Sequence, residues 1–471
     1  MSRCPVTRTP ASPVDPPARQ AYTHPFLMSK IVMETRMFKA LSISLFVQLL
    51  LVAQADADNW SHWRGPTGNG AAISASPPTQ WSNTENVKWS VEIPGRGSGS
   101  PVVWEDRVLV VTAVPVAGGV GQSLQRVGQS QQRVDALQRP GGQRSRGGRS
   151  RGAGGGAAGP LEFVVFCFDR DDGELLWKQV ATQATPHQGT HSTNGYASAS
   201  PCTDGAHVYA HFGSRGLYCY TMDGELKWKR DDFGKMNTRS SFGEGSSPTI
   251  AGDLIIVPWD HEDSSFLYGL NKATGETVWK TPRDEPSCWA TPLVVDHQGS
   301  KQIIMNGQNC ARGYDLETGK ELWRCAGQTA RPVASAVYAD GLAFVGSGFQ
   351  GSYLGAFRLD GSGDIEQTDK VVWSIDRDTP DIASPLLSDG RLYFHKGKSG
   401  LLTCVDAASG KPYYTATRIP GVDSTYASPI AAGGYVYLTD RSGTIVVIED
   451  SPQFKIVATN SLGEGVDATP A

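Results

Sequence analysis

The sequence predicts an all-β protein, a β-propeller of four-stranded antiparallel blades, and three observations carry that prediction. A turn followed by an aromatic residue recurs as "DRDDGELLW" (169–177), "TMDGELKW" (221–228), "NKATGETVW" (271–279), "DLETGKELW" (315–323) and "DAASGKPYY" (406–414). A Ser/Thr-Pro pair opens an apolar run at Ser100, Ser200, Ser247, Thr291, Ser384, Ser428 and Thr469, and Ser335-Ala336 is a degenerate copy. Most of these runs pair two apolar stretches across a Gly/Asp turn, which is a hairpin pattern, and no segment carries a helical period.

Taken in chain order, residues 1–57 form a leader. Lys39 precedes an apolar run, and Ala55-Asp56-Ala57 is a small-x-small cleavage pattern, the layout of a secretory signal peptide. The run is shorter than the ~20 residues a membrane span needs. Translation is expected to start at Met28, Met33 or Met37, and no cysteine near the cleavage point supports a lipid anchor. Residues 58–471 then form one propeller domain. Its aromatic positions are Trp89, Trp177, Trp228, Trp279, Trp323, Trp373 and Tyr414, and from Trp177 onward they recur every 41 to 51 residues. A period of ~40–50 residues with four strands per unit is that of propeller blades. Eight Ser/Thr starts imply eight blades. "VKWSVEI" (87–93) has no hairpin before it and is expected to complete the eighth, which stays incomplete at the C-terminus.

The motif has a physical reading. Its Asp accepts turn N–H groups, its Gly supplies a positive φ, and its Trp lies on the outermost strand and leans on the next blade. The seven aromatic positions are therefore expected to be structural staples. Of eight cysteines, Cys4 lies in the leader. Cys167, Cys219 and Cys404 share one place in the repeat and read as small buried residues.

Charge is uneven. The whole chain carries −4, but residues 115–160 hold seven Arg and one Asp, and the leader is also basic, so the body is acidic. That argues against nucleic acid as the partner. Residues 115–160, rich in Gly, Arg and Gln, interrupt the first blade and are expected to be a disordered, solvated loop. "GRSRG" (148–152) within them matches an esterase pattern without the strand and helix an elbow requires, and "DFG" (232–234) stands without other kinase motifs.

The pattern D-x-x-T-G-x-x-x-W after SP…DG…VY resembles the tryptophan-docked, pyrroloquinoline-quinone-type propeller repeat, from about residue 58 to the C-terminus. The opening "NWSHWRGPTGNG" (59–70) is also similar to the start of secreted bacterial proteins of this type. Members include the propeller subunit of the outer-membrane barrel-assembly machinery, which is a non-catalytic binding module, and quinoprotein alcohol dehydrogenases. For the dehydrogenases the resemblance implies a quinone on the ring axis, stacked between a Trp and a disulfide of adjacent Cys, with Ca²⁺ on Glu and Asn and an Asp as base. This sequence has no Cys-Cys pair, and Cys288-Trp289 is the nearest approach. The expectation is therefore an extracytoplasmic binding or scaffold propeller, periplasmic or secreted, monomeric and without a cofactor. Pyrroloquinoline quinone with Ca²⁺ is disfavoured. The alternatives are a quinone-dependent alcohol dehydrogenase, or a sensor region related to those of bacterial receptor Ser/Thr kinases but lacking the kinase.

The segments leading into each Ser/Thr-Pro strand share one face and mix charge with aromatic rings, which suits recognition of a protein or small ligand. They offer His187, His191, Asn194, Tyr196, Arg239, Glu244, Arg283, Asp284, Trp289, Arg331, Arg377, Asp381 and Tyr426. "HQGTH" places His187 and His191 four apart, but Pro186 and Gly189 argue against a helical zinc site. Asp260, Glu262 and Asp263 are weak candidates for holding Ca²⁺.

Overall fold

Each repeat folds as four consecutive antiparallel strands, as its alternating apolar runs dictate. The computed structural model describes residues 59–72, 74–82, 84–116 and 158–471. The leader, Cys4, "GRSRG" and nearly all of the expected loop at 115–160 lie outside the described residues. Seven sheets are present. The first joins Val102–Trp104, Arg107–Pro115, Leu161–Asp169 and Leu175–Ala184. The others occupy residues 202–230, 249–283, 293–325, 337–375, 386–418 and 430–461, called blades 2 to 7 below. The helical content of the described residues is slight: the named helices are two 3₁₀ turns, Gly213–Arg215 and Arg239–Ser241.

Buried apolar clusters lie between neighbouring blades. One joins Leu109, Val111, Phe163 and Val165 of blade 1 to Val208, Ala210 and Tyr218 of blade 2. Across its own sheet each docking aromatic faces a small or slim residue. Cys167 pairs with Trp177, Cys219 with Trp228, Gly269 with Trp279, Gly313 with Trp323 and Cys404 with Tyr414. A bulky partner there would push the ring away from the sheet. The cysteines therefore act as small apolar residues, and burial raises the thiols of Cys167, Cys219 and Cys404 to about 12.

The Ser/Thr-Pro starts do more than begin strands. Ser100 N–H donates to Ser200 Oγ at 2.9 Å, Ser200 to Ser247 Oγ at 2.9 Å, and Ser247 to Thr291 Oγ1 at 3.1 Å. The series continues through Ser335, Ser384 and Ser428 to Thr469. Eight hydroxyl residues are thus linked in sequence order by seven bonds, each tying one unit to the next. Ser335 holds its place although its proline is lost.

Docking follows the motif at five positions. The indole N–H groups of Trp89, Trp177, Trp228, Trp279 and Trp373 donate to carbonyls of Arg170, Met222, Lys272, Leu316 and Ala407, each in the following unit's turn. The turn glycine has a second role. A Cβ on Gly275 would stand 2.7 Å from the Trp228 ring, and φ there is +76°.

Two staples depart from the expectation. Trp323 donates to Gln302 Oε1 in its own sheet, because the following unit lacks the D-x-x-T-G turn. Its longer loop instead lays Gly363–Asp364 beside the Trp323 strand as a fifth, parallel strand. Tyr414 makes no bond to the following unit's turn among the described residues; its hydroxyl meets the Cys404 thiol of its own sheet and its ring packs against Phe454. Thr469 sits in the hydroxyl series and Trp89 docks, but residues 87–93, expected as a strand, join no sheet.

Residues 59–70 cross the end of the propeller where the first and second strands of each blade turn. Trp60 bridges Val103 of blade 1, and the Ser61 carbonyl accepts from Thr203 of blade 2. Asn69 bonds the main chain of Tyr338 and Leu387, and the Gly70 carbonyl accepts from Ala431 N–H. Arg64, 1% exposed, donates to the carbonyls of Asn69, Pro385 and Pro429 and has no ionic partner among the described residues. With no carboxylate nearby, burial lowers its pKa to about 9.

Candidate functional site: an axial well

The hydroxyl series borders a cavity of about 390 Å³ lined mainly by residues of the segments that lead into the blades. Ser100, Ser200, Ser247, Thr291, Ser428 and Thr469 all face it. Trp63, carried by the crossing segment, lines this cavity and also a second one of about 200 Å³ beyond it. The first cavity is therefore a well with an indole floor.

Its walls are aromatic and cationic. Phe242, Trp289, Phe349 and Tyr426 supply rings, and Val333 and Ile382 supply aliphatic surface. Arg331 is held by Asp381 through two bonds of 2.8 and 2.9 Å and lies 3.9 Å from the centre of the Phe349 ring. Tyr426 is covered by Arg441 at 4.1 Å; Arg441 in turn is bound to Asp467 at 2.5 Å. Lys398 approaches the same tyrosine ring at 5.5 Å.

His191 completes the rim. Its Nδ1 lies 2.8 Å from Thr193 Oγ1 and 3.2 Å from Thr193 N. Burial, then the charges of Lys398, Arg331 and Arg441, lower its pKa, so it is uncharged at neutral pH.

Of the expected face residues, His191, Asn194, Trp289, Arg331 and Tyr426 line the well, and Asp381 stands behind it on Arg331. The rest serve the fold or lie elsewhere. Arg283, expected on the binding face, is buried on Asp260 and Tyr314, and Asp284 is paired with Arg312. Glu244 is bound to Ser214 and Arg215, a pair stacked beside Tyr196. His187 bonds the Met236 carbonyl, Arg239 reaches Gln308, and Arg377 is exposed outside the well.

The candidate Ca²⁺ ligands separate as well. Asp260 bonds Arg283, Glu262 accepts from Ser287 N–H, and Asp263 lies 3.6 Å from His261. Among the described residues no group of three or more His, Cys, Asp or Glu could hold a metal. "DFG" is structural, with Phe233 packed against Trp259 and Tyr268.

Sequence reasoning missed Lys398, Phe349, Phe242, Asp467 and Trp63. Lys398 and Phe349 sit in turns between the second and third strands of their blades. In a four-stranded antiparallel sheet those turns emerge at the same end as the links between blades. Strand parity alone could have placed them on this face.

The sequence matches the family described as outer membrane protein assembly factor BamB, over residues 162–363 and again over 311–451, together more than half of the chain. The chain belongs to this family. Among solved structures, BamB from Moraxella catarrhalis is 13% identical with a TM-score of 0.45, over 64% of this chain and 86% of its own. The quinohemoprotein alcohol dehydrogenase from Comamonas testosteroni is 10% identical with a TM-score of 0.46, over 68% of each chain. A europium-containing methanol dehydrogenase is 10% identical with a TM-score of 0.45, over 88% of this chain and 87% of its own. No curated protein sequence matches. As a member of the BamB family the chain has the propeller fold. Among its described residues no helix is long and apolar enough to cross a membrane.

Proposed function

We propose that this BamB-family chain is a non-catalytic extracytoplasmic binding propeller that engages its ligand or partner at the mouth of the axial well. One observation carries the reading: apart from Lys398, the charged groups around the well and its histidine are committed to neighbouring side chains. Arg331 is held by Asp381, Arg441 by Asp467, and His191 by Thr193, which also bonds Tyr426. A hydrolytic or proton-transfer site needs an activated nucleophile beside a base, or a titratable pair with opposed pKa shifts. The hydroxyl beside an imidazole in the lining, Thr193 Oγ1 at 2.8 Å from His191 Nδ1, is also bonded to the Tyr426 hydroxyl, while the rings and cations of the lining suit recognition.

The residues present do not fit pyrroloquinoline quinone with Ca²⁺. The one carboxylate in the lining, Asp467, is bound to Arg441. Cys288 is single and buried, with its thiol turned to the Asn306 carbonyl. Export through the N-terminal leader, with a periplasmic or secreted destination, belongs to the same proposal.

The test is a titration of purified 58–471 with pyrroloquinoline quinone and Ca²⁺, followed by absorbance and by dye-linked alcohol oxidation. The expected result is no stoichiometric chromophore and no turnover. A chromophore at one per chain with alcohol-dependent dye reduction would overturn the proposal.

A further inference from the structure

We infer that the axial well is a site for a small organic anion with a single carboxylate and a flat apolar body. This rests on the reading of the well as a binding site and adds the chemistry of what enters.

Two independent features favour an anion. The first is the hydroxyl series. Ser200, Ser247, Thr291, Ser428 and Thr469 each accept one N–H bond through the side-chain oxygen, and none donates its O–H to a protein group among the described residues. A hydroxyl carries one donor and two acceptor sites and turns its proton to suit a partner. The inner wall of the well thus presents several O–H donors whose oxygens are already engaged. The second feature is the charge balance. Arg331 and Asp467 line the well, and each has its own counter-ion within 3 Å. Lys398 is the one charged side chain of the lining with no ionic partner among the described residues. His191 also lines the well, as an imidazole whose charged form is disfavoured by burial and by Lys398.

Together these supply donors around one uncompensated positive charge, and a single carboxylate satisfies both. A charge-assisted bond from Lys398 and neutral bonds from hydroxyls are what a carboxylate takes up best. The remaining wall sets the body of the ligand. Phe242, Trp289, Phe349 and Tyr426 present ring surface, and the floor is an indole, so a planar unsaturated group is covered on several sides. A ligand with two or three carboxylates would bury charge that no cation answers, since both arginines are already paired.

The experiment uses 58–471 with benzoate and its neutral isostere benzamide as probes, read by isothermal titration and by quenching of tryptophan fluorescence. Benzoate is expected to bind at one per chain, about tenfold tighter than benzamide. Lys398→Met should weaken benzoate about tenfold and leave benzamide unchanged, and Lys411→Met, on an exposed turn, should change neither. Circular dichroism of each variant reports whether the fold survives. Equal affinity for the two probes, benzoate binding indifferent to Lys398→Met, or no binding of either at about 10 mM would each overturn the anion site. The binding-propeller reading fails separately, on quinone-dependent turnover.

Discussion

At the scale of one residue, Trp279 shows what the repeated motif does. It is 9% exposed, lies across Gly269 of its own sheet, and donates to the Leu316 carbonyl of the next blade at 3.0 Å. One side chain thus seals an interface and satisfies a carbonyl that would otherwise be poorly hydrated. Trp279→Ala is expected to cost about 3–5 kcal/mol. Trp279→Phe keeps most of the buried area and loses the bond, at about 1 kcal/mol. Equilibrium denaturation in urea separates the two. A cost for Trp279→Phe close to that of Trp279→Ala would mean that the N–H, not burial, dominates.

The motif was legible from sequence because its chemistry is local: an Asp, a Gly and a Trp at fixed offsets. Trp323 was misread for the same reason. Whether an indole finds its carbonyl depends on the following unit, and there the turn is replaced by a loop that adds a strand to the Trp323 sheet.

At the scale of elements, the Ser/Thr-Pro pairs mark strand starts in the sequence, while their side chains form the seam between neighbouring blades. The sequence shows that the position is always Ser or Thr but not why. A hydroxyl is needed because the neighbouring unit's buried N–H must find an acceptor. Ser247→Ala removes the acceptor of Ser200 N–H and should cost about 1–3 kcal/mol. Ser247→Thr should be tolerated, since Thr291 and Thr469 fill equivalent places. Thermal melts of the two variants are the check, and a Ser247→Ala melt identical to wild type would remove the seam from the account.

The well depended on element order in the same way. His191, Trp289, Arg331 and Tyr426 lie in the links between blades, next to the legible Ser/Thr-Pro starts. Lys398 and Phe349 lie in within-blade turns that reach the same end but carry no such marker. Trp63 came from a segment whose role as a floor no local pattern announces, because the bonds that seat it on the blades reach residues far away in sequence.

At the scale of the molecule, stability should respond to acid. His211 and His395 are 2% and 1% exposed, and burial holds both at about 4. In the unfolded chain they titrate near 6.5. As pH falls from about 6.5 to about 4 the unfolded chain takes up protons that the folded one refuses. Stability contributed by these rings is full above the unfolded value and is lost across that window, at about 1.4 kcal/mol per pH unit for each histidine. His395→Phe should lower the slope of stability against pH by about one proton. Denaturation between pH 4 and 7 measures it, and an unchanged slope would place the acid sensitivity elsewhere.

What the sequence by itself determined is the repeat: all-β units, the period of the blades, the positions that begin each one, and the rings that join them. Those depend on residues close together in the chain, where turn chemistry and alternation act directly. The tertiary structure alone decided that residues 87–93, expected as a strand, join no sheet while Trp89 still docks on the Arg170 carbonyl. It also decided which charges are buried partners and which stand free at the well. Pairings such as Arg283 with Asp260, or Arg331 with Asp381, bring groups from separate elements into one low-dielectric space. A charge's fate there is set by its nearest neighbour in space, which no spacing along the chain reveals.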